Sequence, residues 1–190
     1  MELDKIDRVL RAASTAPMGI PPSDVGVVVF HGREKVRAFA TDMAEVFGKS
    51  RWLGSPAFLA MLRPFMGKAM YEFLKNFVAP LVQLTLECRE KGIDSLFYDA
   101  PAALLFHQSP YADPADSHIA ATYAMIAAES MGLGGCLIGT VAPFMNMNKR
   151  VKAKYVAPDG NKAGIVYVLG YPAFHFQKGV RRRFASVKRV

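Results

Sequence analysis

Three segments of this 190-residue chain combine residue types that could hold a ligand. The first is Ser14-Thr15-Ala16-Pro17-Met18-Gly19-Ile20-Pro21-Pro22. Hydroxyl side chains, a glycine and three prolines make a stiff loop with exposed backbone donors. The same composition also suits a tight helix–strand connection. The second is Gly132-Leu133-Gly134-Gly135-Cys136-Leu137-Ile138-Gly139-Thr140, where three glycines within four residues let backbone approach a flat ligand or a neighbouring chain. A helix cap followed by a crowded strand reads equally well from composition. The third is Lys178-Gly179-Val180-Arg181-Arg182-Arg183-Phe184. Guanidinium forks can grip phosphate through two parallel hydrogen bonds, although a solvated basic terminus has the same residues.

Several other chemistries find no support. The sequence has no G-x-S-x-G elbow, no Walker loop and no G-x-G-x-x-G after a first strand. His31, His107, His118 and His175 are scattered without ligand spacing, and helix capping explains Asp113 and Asp116 more simply than a metal does. No metal site is expected. Cys88 and Cys136 stand alone, which fits a reducing cytoplasm rather than a disulfide framework. The net charge of +8 is local: the chain from Lys178 onward holds six basic residues and no acid, leaving eighteen basic against sixteen acidic elsewhere. Nucleic acid is therefore not an expected partner. No apolar run approaches the roughly 20 residues of a membrane span, so no membrane partner is expected. The opening MELDKIDRVLRAAS reads as an ordinary helix rather than a secretion signal. An apolar content of 52% points to surface buried between subunits.

The elements that would position these segments follow from pattern. Val25–Phe30, Ala102–His107, Gly135–Ile138 and Ile165–Leu169 are short, apolar and mostly branched, as buried strands are. Their continuous apolarity predicts helices on both faces of a sheet. Helices are predicted over Asp4–Ala13, about Glu34–Phe47, Leu81–Lys91 after Pro80, and Asp116–Met131. Gly92 and Gly132 supply the stops, and either Asp113 or Asp116 can cap the last helix. That helix is apolar nearly all round, which suits a core or a subunit interface. From Trp52 to Val78 runs a Met- and Phe-rich amphipathic stretch, readable as packing helices or as an adaptable cover over a ligand. The whole of 1–190 reads as one domain.

The order and spacing of these features resemble the nitroreductase family of flavin mononucleotide (FMN) oxidoreductases. The matching pieces are the Ala-Ser-Thr-Ala-Pro-Met-Gly-Ile-Pro-Pro loop, Tyr98-Asp99-Ala100-Pro101 entering a strand, and Ala127 through Gly139. Gly170-Tyr171-Pro172 and the basic tail complete the pattern. The chain looks most like the branch whose members often carry an iron–sulfur ferredoxin segment, which two unclustered cysteines could not replace.

The resemblance implies an α+β fold with a central mixed, mainly antiparallel sheet covered by helices on both faces, in a homodimer with flavin sites at the interface. It implies FMN as cofactor, NADH or NADPH as electron donor (or a ferredoxin-type donor), and a small acceptor such as a nitroaromatic, quinone or enone. Ser14, Thr15, Ala16, Pro17, Met18 and Gly19 would follow the flavin ring and ribityl chain. Leu137, Ile138, Gly139 and Thr140 would border the other side, with a backbone N–H of Gly139 or Thr140 toward flavin N5. Lys178, Arg181 and Arg183 would meet the phosphate. The residues before Ser14 hold no Arg-Arg-Ser-x-Arg segment, and Gly19 and Pro21 stand near positions where many relatives have Asn and Gln. These departures imply weaker FMN binding, more reliance on the tail, and a lowered flavin potential. They also leave open a non-catalytic protein that binds flavin or an apolar ligand.

Overall fold

The computed structural model describes every residue except 20–23, 175, 176, 178 and 190, and excludes the side chain of Leu62. Four strands form one sheet: β1 (Val25–His31), β2 (Ala102–Gln108), β3 (Gly134–Ile138) and β4 (Lys162–Gly170). Their spatial order is β1-β2-β4-β3, and every described pairing is antiparallel. The strands coincide with the four apolar runs, extended by a few residues at their ends.

The central strands β2 and β4 are apolar over most of their length because alternate residues serve two cores. On β2, Ala102, Leu104 and Phe106 face one cluster while Ala103 and Leu105 face the other. The first cluster is closed by α1 (Leu3–Ala13) and α6 (Asp116–Ser130), which pack together through Ile6, Val9, Ala120, Ala121, Ala124 and Ala128. Small alanines let α6 lie close to the sheet. The second cluster is closed mainly by α2 (Arg33–Lys49), α5 (Ala79–Glu90), α7 (Val141–Met147) and α8 (Lys149–Tyr155). Phe39 of α2 stacks between Phe30, with ring centroids 4.3 Å apart, and Phe97 at 4.8 Å.

Between α2 and β2 the chain makes a helical excursion through α3 (Pro56–Leu62) and α4 (Lys68–Phe73). The helix expected to begin after Pro80 instead continues from α4 through a wider π-helical turn, Leu74–Val78, into α5. Proline lacks the N–H needed for the ordinary bond back along a helix, and widening the preceding turn accommodates it. Trp52, Met61, Phe65, Met70, Phe73 and Phe77 of this excursion are exposed. The outer stripe of α6 likewise leaves Tyr123 and Ile126 exposed. Among the described residues, no helix is long and apolar enough to cross a membrane.

Candidate functional site

The loop after α1 begins as a continuation of the helix. The hydroxyls of Ser14 and Thr15 donate back to the carbonyls of Arg11 and Ala12, each at 2.8 Å. Both side chains are exposed, and their lone pairs remain open to a donor. Ala16 is buried, Pro17 is exposed, and Met18 packs half-buried against the α1–α6 cluster. At Gly19 the loop is tied to α6: its N–H donates to Asp116 Oδ1 at 3.0 Å. Residues 20–22 of the expected loop lie outside the described residues.

That tie revises the role read for Asp116. The carboxylate of Asp113 accepts the Ala115 N–H at 2.8 Å, while Asp116 makes no cap of its own helix. Asp116 is 3% exposed and spends its oxygen on a loop 97 residues away. A second aspartate three positions after one that already serves the turn was the available signal. Its partner was invisible without the fold.

The glycine-rich turn divides into two parts with different duties. Gly132 has φ +74, and it closes α6 through Gly132 N–H to the Glu129 carbonyl and Leu133 N–H to the Ala128 carbonyl, each 3.0 Å. This is a left-handed helix stop. Gly135 lies under the Tyr167 side chain with no room for a Cβ, and Gly134 lies against Pro172. Backbone conformation therefore accounts for Gly132, and packing for Gly134 and Gly135. Gly139 differs from all three: it is exposed, with nothing where a Cβ would stand and no positive φ to require glycine. Beside it, Leu137 packs half-buried against the same cluster as Met18, Ile138 is buried in the other, and Thr140 leads into α7. The open backbone thus lies at Gly139 and Thr140, beyond the glycine cluster that drew notice in the sequence.

Strand β4 connects to both candidate segments. Val166 pairs with Ile138, whose chain continues to Gly139. Two residues earlier, Gly164 meets Ser117 of α6 so closely that a Cβ would overlap its hydroxyl. Ser117 is fully buried and follows Asp116, the anchor of Gly19. The buried Oε1 of Gln108 sits beside Gly164 without a hydrogen-bond partner among the described residues. Tyr167 OH is also buried and unpartnered there, and burial pushes its phenol pKa far upward.

The described residues of the basic tail form no helix or strand. Arg181 and Arg183 are exposed, and neither pairs with a carboxylate among the described residues. Lys178 lies outside the described residues.

At the opposite end of the sheet, the Tyr98-Asp99-Ala100-Pro101 motif forms one wall of a cleft of about 380 Å³, with Cys136, Tyr171 and Phe174 on another. Tyr98 and Asp99 adopt φ of 56° and 52°. Side chains without glycine's freedom rarely sit there, and Asp94 holds the turn by accepting from Leu96 and Phe97 N–H at 3.0 and 2.9 Å. Asp99 is fastened to Arg37 at 2.6 Å, and that guanidinium holds its carboxyl below the usual carboxylate range. The motif is a structural fastener between α2 and β2. Among the described residues, no group of His, Cys, Asp and Glu could hold a metal ion.

The model of the nitroreductase family matches residues 1–171. No curated protein matches the chain in sequence. Among solved structures, a nitroreductase with bound FMN from Bacteroides fragilis is similar with TM-score 0.68 and 16% identity, over 100% of this chain and 88% of that one. A nitroreductase with bound FMN from Desulfitobacterium hafniense gives TM-score 0.62 and 18% identity, over 99% and 88%. A mutant of NfnB, an FMN- and NADPH-dependent nitroreductase from Sphigopyxis sp. strain HMH, gives 0.61 and 19%, over 91% and 80%. These likenesses establish the fold.

Proposed function

The chain belongs to the nitroreductase family, and from that premise we propose that it is an FMN-dependent oxidoreductase. It passes electrons from NADH, NADPH or a ferredoxin-type donor to a small acceptor such as a nitroaromatic, quinone or enone. The observation that supports this reading is that two segments expected to meet the flavin, Ser14–Gly19 and Leu137–Thr140, are both connected to one strand, β4. The FMN named for similar structures and the NADPH dependence named for NfnB support the cofactor and a nicotinamide donor.

The residues fit such a cofactor. Met18 and Leu137 offer apolar surface, Gly139 leaves backbone open to approach, and Arg181 and Arg183, without a carboxylate partner among the described residues, have guanidiniums suited to phosphate. Lys178 would join them. FMN, when bound, supplies hydride transfer at N5. The chain's own part is to donate a backbone N–H from Gly139 or Thr140, orient the ring between the two segments and exclude water. No side-chain acid or base is needed for that part. The reading includes a homodimer of single-domain chains, for which the exposed Tyr123 and Ile126 of α6 supply apolar contact.

The test is to purify the protein, reconstitute it with FMN and record the visible spectrum without oxygen. One FMN per chain should bind, bleach with NADH, NADPH or reduced ferredoxin, and recover on adding a nitroaromatic or quinone. Tight binding with no reduction by any donor would leave a non-catalytic flavin binder. Failure to take up FMN overturns both.

A further inference from the structure

We infer that Asp116 is a positioning residue for the flavin seat, holding the loop Ser14–Gly19 through the Gly19 N–H. The inference rests on the FMN reading above. A carboxylate buried to 3% exposure is costly unless it is bonded and placed in a favourable field. Both conditions are met: Gly19 N–H donates to it at 3.0 Å, and Asp116 is the first residue of α6, at the positive end of that helix. Helix capping does not account for Asp116, since no side-chain cap of α6 is formed and its described hydrogen bond goes to Gly19.

The loop has no comparable support elsewhere among the described residues. Its other hydrogen bonds are local: Thr15 and Ala16 N–H to the Ala12 and Ala13 carbonyls, and Met18 N–H to the Ala16 carbonyl. The Asp116 bond alone spans a long sequence separation. Asp116 is itself held in place, because its neighbour Ser117 is wedged against Gly164 of β4. The strand that pairs with Ile138 therefore also sets Gly19, through two contacts, Gly164 with Ser117 and Asp116 with Gly19. Removing the carboxylate frees the far end of the loop, and FMN must then order it on binding. Affinity falls by that ordering cost.

Asp116→Ala and Asp116→Asn separate this role from simple stability. Asparagine keeps an oxygen acceptor in the same place without the charge. Hydrogen exchange is followed by mass spectrometry on FMN-free protein, and FMN binding by fluorescence titration. In Asp116→Ala, the peptide covering Ser14–Gly19 should exchange roughly ten-fold faster while β4 is unchanged, and FMN should bind roughly ten-fold more weakly. Asp116→Asn should recover most of both effects. Unchanged exchange and unchanged FMN affinity in Asp116→Ala overturn the inference. So does an asparagine variant as impaired as the alanine one while β4 stays protected. If the unmodified protein takes up no FMN, the cofactor reading itself falls, and the exchange data show separately whether Asp116 holds the loop.

Discussion

Gly164 of β4 and Ser117 of α6 touch at the place where a side chain on Gly164 would have to stand. A Cβ there would overlap the Ser117 hydroxyl and approach Gln108 Oε1 to 2.8 Å. The N-terminal turn of α6 is thereby seated on the sheet without an intervening layer, which is how Asp116 comes to face Gly19. One missing side chain thus sets the height of a helix and, through it, the position of a loop.

Gly164→Ala should consequently lower stability by about 1–3 kcal/mol, the usual cost of overpacking a close contact. Urea unfolding measures it, and FMN affinity should fall in parallel as Asp116 is displaced. A midpoint equal to that of the unmodified protein would mean that α6 can shift freely.

The aromatic stack makes a purely structural prediction. Phe39 is fully buried between Phe30 and Phe97, so Phe39→Ala removes apolar burial and leaves a cavity at once. The expected loss is about 3–5 kcal/mol in chemical denaturation. Phe39→Leu should lose much less, because most of the volume is kept.

His107 gives a pH dependence with a definite sign. Burial holds the pKa of its imidazole below the ordinary 6.5, and Nδ1 lies 3.0 Å from Asn161 Nδ2. As pH falls through the ordinary value, the unfolded chain takes up a proton that the native chain refuses. Its contribution therefore lowers stability on acidification, beginning near pH 6.5 and growing until the depressed native pKa is reached. Unfolding free energies measured at a series of pH values should show a shallower decline in His107→Gln. Equal slopes in the two proteins would contradict the buried neutral imidazole.

The arginine tail is tested by charge. If Arg181 and Arg183 bind the FMN phosphate, the double alanine variant should lose at least roughly ten-fold in FMN affinity, since hydrogen bonds to charged groups are each worth about 1.5–3 kcal/mol. The unmodified protein should also bind more weakly as salt rises, and the variant should show less of that dependence. Stoichiometric, tightly held FMN in the variant would remove the tail from the site.

The four strands and the long helices were legible because their signals are local. A run of branched apolar residues needs burial on two faces, and the alternation of β2 between two cores is the direct consequence. The stops at Gly92 and Gly132 were legible for a similar reason, since both take the positive φ that favours glycine. The short helices α7 and α8 were not read. Seven residues each give too few turns to establish a period, and packing on the sheet decides them instead.

Sequence alone determined which segments could meet a ligand: the Ser14 loop, the stretch ending at Thr140 and the arginine tail. Motif order carried the family. Tertiary structure decided how those segments are held. It assigned Gly132 to the helix stop and Gly134 and Gly135 to packing, left the open backbone at Gly139, and gave Asp116 to Gly19 rather than to its own helix. Helix stops and strand patterns arise among near neighbours, so the chain displays them in order. A bond across 97 residues depends on sheet register and on the close seating of α6 against β4, which exist only once the chain is folded.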